Sequence, residues 1–176
     1  MNISHAVFSP CRRYRYTLFR DIGMQGPQLT VVMLNPSTAD AVKDDPTIRR
    51  VIGFARDGGY GSLQVLNLFA IRATDPRSML TADDPVGPEN DKHLRRELAL
   101  AKEERRFVLA AWGSHGCHRA RDFHVLHVLV DGIEWRCLGR THKGHPKHPL
   151  YVPKAQGMVP FASGQSAKAA RETTDA

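Results

Sequence analysis

Two asparagines, a tryptophan and a loop of histidines and cations stand where short apolar runs end. Leu29-Thr30-Val31-Val32-Met33-Leu34 closes on Asn35-Pro36-Ser37-Thr38, and Val65-Leu66 closes on Asn67. Ala110-Ala111 closes on Trp112-Gly113-Ser114-His115. A fourth run leads into Arg140-Thr141-His142-Lys143-Gly144-His145-Pro146-Lys147-His148-Pro149-Leu150-Tyr151. A carboxamide offers donors and an acceptor, an imidazole exchanges protons near neutral pH, and guanidinium and ammonium groups bind phosphate. Brought together, these residues suit a polar ligand site. Pro36 cannot donate to a sheet and disfavours the helical region for Asn35, so the chain turns outward there. Asn-Pro is also ordinary turn chemistry, and a buried Asn67 is equally suited to bonding neighbouring backbone.

The elements that must position these residues alternate along the chain. Tyr14 to Arg20 reads as a short strand, Gly23 to Pro27 as a turn, and Leu29 to Leu34 as the first core strand. Asp44-Asp45-Pro46-Thr47 opens a helix, with an acidic cap and a proline in the first turn. Ile48, Val51, Ile52 and Ala55 follow helical spacing until Gly58-Gly59. Ser62 to Phe69 is a second core strand, Pro76 to Pro88 a loop, and Pro88 to Arg105 a helix with Leu94, Leu98 and Ala101 inward. Phe107 to Trp112 is a strand, Cys117 to Val130 a helix and Glu134 to Leu138 a strand. Phe54 and Phe69 fall in periodic apolar runs and belong to the core. This order predicts a single α/β domain over residues 1–156, a three-layer αβα sandwich on a mostly parallel four-stranded sheet. Residues 157–176, rich in Ser, Gly, Ala and Lys, read as a flexible tail. In such a sheet the carboxyl ends of the strands share one rim, where ligands bind.

Length and charge bound the function. A chain of 176 residues suits one domain that buries its own core. Lys+Arg 25 against Asp+Glu 18 leaves a net charge of +7, with a pI near 9.7, which favours a polyanionic partner. The three cysteines, Cys11, Cys117 and Cys137, match neither a disulfide framework nor a metal spacing. No signal-like N-terminus and no apolar run of membrane-spanning length are present, so a cytoplasmic monomer without membrane contact is expected. Arg49, Arg50, Arg56 and Glu103 to Arg106 read as solvated helix faces. Arg12, Arg13 and Arg15 read either as a second phosphate-contacting strip or as charge on an exposed edge strand.

In their order along the chain, these landmarks resemble the uracil-DNA glycosylase superfamily. Met33-Leu34-Asn35-Pro36 resembles its first motif, with Met33 where Gly is usual. Val65-Leu66-Asn67, running on to Arg72 and Pro76-Arg77, resembles its strand ending in Asn. Trp112-Gly113 matches a turn after a strand, and His145-Pro146-Lys147 and His148-Pro149-Leu150 are two candidates for its last motif. The chain also resembles a bacterial domain family of unknown function that shares these landmarks.

The resemblance implies hydrolysis of the N-glycosidic bond of a damaged or modified base, a pyrimidine by preference, flipped out of DNA. Asn35 would orient the attacking water, and His148 or His145 would donate to the base oxygen. Asn67 would read the base edge, with Pro36, Ser37, Trp112 and Tyr151 completing the substrate pocket. Arg72, Arg77, Arg140, Lys143 and Lys147 would grip flanking phosphates, and Tyr151 or Leu150 would fill the vacated stack. Neither a cofactor nor a metal is implied, and both base repair and defence against modified phage DNA fit. Two other classes remain. One is a nucleic-acid-binding module on the same fold without chemistry. The other is a metal-dependent hydrolase built on the three-residue spacing of His142, His145 and His148, repeated by His115 and His118. Pro146 and Pro149 preclude regular helix geometry across that triplet.

Overall fold

A run of β-branched and apolar residues favours buried strands, and four such runs form the centre of the molecule. The computed structural model describes residues 4–161. Strands β1 (His5–Phe8), β2 (Arg15–Asp21) and β3 (Gln28–Met33) precede helix α1 (Pro46–Asp57) and strand β4 (Ser62–Asn67). Helices α2 (Pro76–Leu80) and α3 (Asn90–Glu103), strand β5 (Val108–Ala110), the short α4 (Arg121–His124) and strands β6 (Trp135–Cys137) and β7 (Val159–Pro160) follow.

Among the described residues the sheet has seven strands in the order β1-β2-β4-β3-β5-β6-β7 and is mixed. Pairs β4–β3, β3–β5 and β5–β6 are parallel, whereas β1–β2, β2–β4 and β6–β7 are antiparallel. This corrects the expected mostly parallel four-stranded sheet, while the α/β class stands. The extra strands escaped the sequence pattern for physical reasons. β1 and β7 have four and two residues, too short for alternation to register. β2 was readable as a strand, but nothing local told that it turns back antiparallel along β4. Because Val159–Pro160 pairs with β6 and Phe161 is buried, the sheet extends beyond the expected boundary at 156. The rest of the expected tail, residues 162–176, lies outside the described residues.

Helix α1 forms where its sequence signals said. The Asp45 carboxylate accepts from the Ile48 N–H at 2.9 Å, and Pro46 sits in the first turn. The Gly58 N–H returns to the Phe54 carbonyl, and Gly59 takes φ +77°, a conformation that ends the helix at little cost only for glycine. Its buried side chains Ile48, Val51, Phe54 and Ala55 cover one face of the sheet with Val31, Leu63, Val65 and Leu109. The opposite face carries Leu94 and Leu98 of α3 against Val32, Leu66 and Ala110.

The expected helix from Cys117 to Val130 is broken. A 3-10 segment spans Ser114–Ala120, and a π turn spans Val125–Leu129 beyond α4. Arg119 and Ala120 both adopt positive φ, which interrupts a regular helix. α2, capped by the Asp75 side chain, occupies part of the segment read as loop. No described helix is long and apolar enough to cross a membrane.

Candidate functional site

The parallel strands β3, β4 and β5 point their carboxyl ends at one edge, and a cavity of about 760 Å3 opens there. Met33 ends β3 and Leu34 and Asn35 follow it, Asn67 ends β4, and Trp112 and Gly113 follow β5. The N-terminal turn of α1 supplies Asp45, Pro46, Thr47 and Ile48 to a wall. The loop after β6 supplies Thr141, Lys147, His148, Leu150 and Tyr151.

Asn67 is 1% exposed, and neither its Nδ2 nor its Oδ1 has a hydrogen-bond partner. Its backbone, by contrast, is clamped from the far side. The Asn90 Nδ2 donates to the carbonyls of Asn67 and Leu68, both at 3.1 Å, and the Arg121 Nε donates to Leu68 at 2.8 Å. Arg121 is held in turn by Asp91. An unpaired buried amide on a fixed backbone carries a desolvation cost of about 1–3 kcal/mol that a ligand can recover.

Asn35 is arranged differently. Its Nδ2 donates to the carbonyls of Pro36 (3.0 Å) and Ala73 (2.8 Å), which fixes the amide plane and orientation. The carboxamide oxygen is left as the group able to receive a proton donor from the cavity. Ser37 also lines the cavity, whereas Pro36 is buried behind it, its carbonyl serving Asn35 and the Ala73 N–H.

Of the two histidines, His148 lines the cavity and His145 does not. Burial pushes the His148 imidazole below its ordinary pKa, with the Asp45 carboxylate opposing the shift. The neutral ring predominates at pH 7. Its Nδ1 accepts from the Leu150 N–H at 3.4 Å, which leaves the proton on Nε2 and makes that atom a donor. His145 is engaged through its backbone, its N–H donating to the Thr141 hydroxyl at 3.1 Å. The Gly113 N–H donates to the Pro146 carbonyl at 3.0 Å and ties this loop to the end of β5.

Trp112 is 1% exposed and packs edge-on against Trp135 and Phe161 at 5.9 and 6.0 Å, its indole Nε1 without a partner. A Cβ on Gly116 would lie 2.1 Å from the Trp112 ring, so only glycine lets that turn close over the indole. Tyr151 is 82% exposed beside the cavity, its ring 5.8 Å from that of His148.

The expected phosphate contacts divide. Lys147 lines the cavity; Arg72, Arg77, Arg140 and Lys143 do not. Arg72 lies over the Phe8 ring and donates to the Arg12 carbonyl, Arg140 lies over Phe161, and Arg77 pairs with Asp75. Lys143 is exposed on its loop.

Two site residues were missed by sequence reasoning. Asp45 read only as a helix cap, yet among the described residues it is the one carboxylate lining the cavity. Arg15 read as strip or edge charge, yet it is 2% exposed and lines the cavity. Burial lowers its guanidinium pKa to about 10, against the opposing pull of Asp45, so it stays cationic at neutral pH. No local signal gave it away, because Arg15, Tyr16, Thr17 and Leu18 are all buried and β2 shows no alternation of buried and exposed positions there.

Among the described residues no group of three or more His, Cys, Asp or Glu side chains is placed to hold a metal. His142, His145 and His148 do not converge as a ligand set.

Fold and site thus define an α/β protein with a polar cleft at the carboxyl edge of its sheet. The chain belongs to the family described as protein of unknown function (DUF1643), whose model matches residues 15–150. That span holds every cavity-lining residue except Tyr151. No curated protein and no solved structure gives a match.

Proposed function

We propose that this protein is a DNA glycosylase-like hydrolase that takes a flipped base into the cavity, as its motifs' resemblance to uracil-DNA glycosylases implies. The carrying observation is Asn67, a buried amide with both polar atoms unpaired in a cavity that also holds Asn35 and His148. A flipped base presents adjacent donors and acceptors along one edge, and a carboxamide answers one of each. Extrusion costs a few kcal/mol of unstacking, and satisfying such a group helps to offset it.

The geometry supports the following assignment of roles. Asn35, its Nδ2 fixed by two carbonyls, orients a water through Oδ1 toward the sugar C1′. Water oxygen bonds to C1′, the C1′–N bond breaks, and its electron pair leaves with the base. The departing base takes up one proton, and the water loses one. The His148 Nε2–H donates to the base oxygen on which negative charge develops. Lys147 supplies a cation at the cavity, and exposed Tyr151 stands where a side chain can fill the vacated stack.

The test is alkaline cleavage of end-labelled duplexes and single strands carrying uracil, hydroxymethyluracil or glucosylated cytosine. Wild type is expected to release a base, and Asn35→Ala to lower the rate on the order of a hundredfold while retaining DNA binding. Equal rates for both remove the water-orienting role from Asn35. Binding without release from any substrate favours a non-catalytic nucleic-acid-binding module.

A further inference from the structure

The cavity contains more unpaired donors than a neutral base edge uses. Arg15, Asn67 and Trp112 line the cavity, and each carries a buried donor without a partner, Nε, Nδ2 and Nε1 respectively. The sole unpaired buried acceptor among those residues is Asn67 Oδ1. The charges are unequal too. Arg15 and Lys147 face Asp45 alone, whose oxygens already accept from Ile48 and Ala39 N–H groups at 2.9 and 3.4 Å.

The fold engages only part of the Arg15 guanidinium. Its Nη1 donates to the Ala39 carbonyl at 2.7 Å and its Nε to nothing. A guanidinium buried to that extent is ordinarily satisfied by a carboxylate or several carbonyls, because leaving a charged donor unpaired is costly. Its position is fixed: the Arg15 N–H donates to Ala70, three residues beyond Asn67 on the neighbouring chain segment.

We propose that Arg15 is a ligand-binding residue of this cavity and receives an oxyanion carried by the bound nucleoside, so that the ligand class is an acid-bearing nucleoside unit. The inference rests on the proposed reading only in placing a nucleoside there. The oxyanion has two possible sources with the same chemistry, an acidic substituent on the base or the 5′-phosphate of the flipped nucleotide.

Calorimetric titration of the full chain with 5-carboxy-2′-deoxyuridine, thymidine and thymidine 5′-monophosphate separates them. Thymidine has a neutral methyl where the first compound has a carboxylate. At least one acid-bearing compound is expected to bind about tenfold or more tightly than thymidine, the range of a charge-assisted hydrogen bond. Whichever gains identifies the source. Arg15→Gln is expected to abolish the preference, and Arg15→Lys to keep part of it, since lysine restores charge but not the planar fork. Equal affinities in wild type, or no binding by any of the three, overturn the inference. So does a preference unchanged in folded Arg15→Gln or, should that variant not fold, in Arg15→Lys. Base release from DNA without acid preference overturns the Arg15 inference and leaves the glycosylase reading. Acid preference without base release has the opposite meaning.

Discussion

Arg15 and Arg20 leave the same strand at nearly the same depth, 2% and 4% exposed, and meet opposite fates. Arg20 bonds Asp44 at 2.7 Å through Nε, the Phe19 carbonyl through Nη1 and the Asp40 carbonyl through Nη2. It pins the segment between Asn35 and α1. Arg15 reaches that segment at one carbonyl, and its Nε is buried without a partner on a residue that lines the cavity. Asn90 and Asn67 repeat the contrast on either side of the end of β4. Asn90 spends its Nδ2 on two backbone carbonyls and leaves only its Oδ1 unpaired, whereas neither amide atom of Asn67 has a partner. Buried polarity holds the fold where its donors are paired and points to a ligand where unpaired donors belong to cavity-lining residues.

The contrast predicts unequal stability losses, measured by chemical denaturation. Arg20→Met is expected to cost about 2–4 kcal/mol, because Asp44 and two carbonyls lose their partner. Arg15→Met, which breaks one hydrogen bond and removes an incompletely paired buried charge, should cost under about 1 kcal/mol. Equal losses would erase the distinction between the two arginines. Next in size, Asn90→Ala should cost about 2 kcal/mol by removing both side-chain bonds, although the Leu68 carbonyl keeps Arg121.

The smallest effect is electrostatic. Burial lowers the pKa of His148 and of His93, with Asp45 and Glu89 respectively opposing. Below about pH 6.5 the unfolded chain therefore binds protons that the native state resists, until each folded pKa is passed. Stability should fall as pH drops through that window. His148→Gln should flatten the slope in part, leaving the His93 share. A melting temperature independent of pH from 7 to 5 would show that neither imidazole is held neutral by the fold.

Much of this was legible in residue order. The Asp45-Pro46 start of α1 and its Gly58-Gly59 end are local signals, and the structure obeys them. Asn35, Asn67, Trp112, His148, Lys147 and Tyr151 were singled out as strand-end or loop residues, and all line one cavity. Which histidine faces it was not legible, because His145 and His148 each precede a proline and differ only in how the loop folds back on Gly113. Arg15 was hidden for a related reason. Its burial depends on β2 running antiparallel beside β4, a non-local pairing that no local pattern encodes. The break at Arg119-Ala120 was hidden as well, since neither residue type announces a left-handed backbone.

The central claim, that the unpaired groups at the sheet edge exist for a ligand, is tested most directly at Asn67. Asn67→Leu replaces both unpaired amide atoms with an apolar group of similar volume. Its stability to denaturant should match wild type to within about 1 kcal/mol or exceed it, since no protein hydrogen bond is lost. On the proposed reading, the same preparation should have lost the base release expected of wild type on modified duplexes. A variant that loses about 2 kcal/mol or more while still releasing base at the wild-type rate would contradict the claim and make Asn67 a residue of the fold.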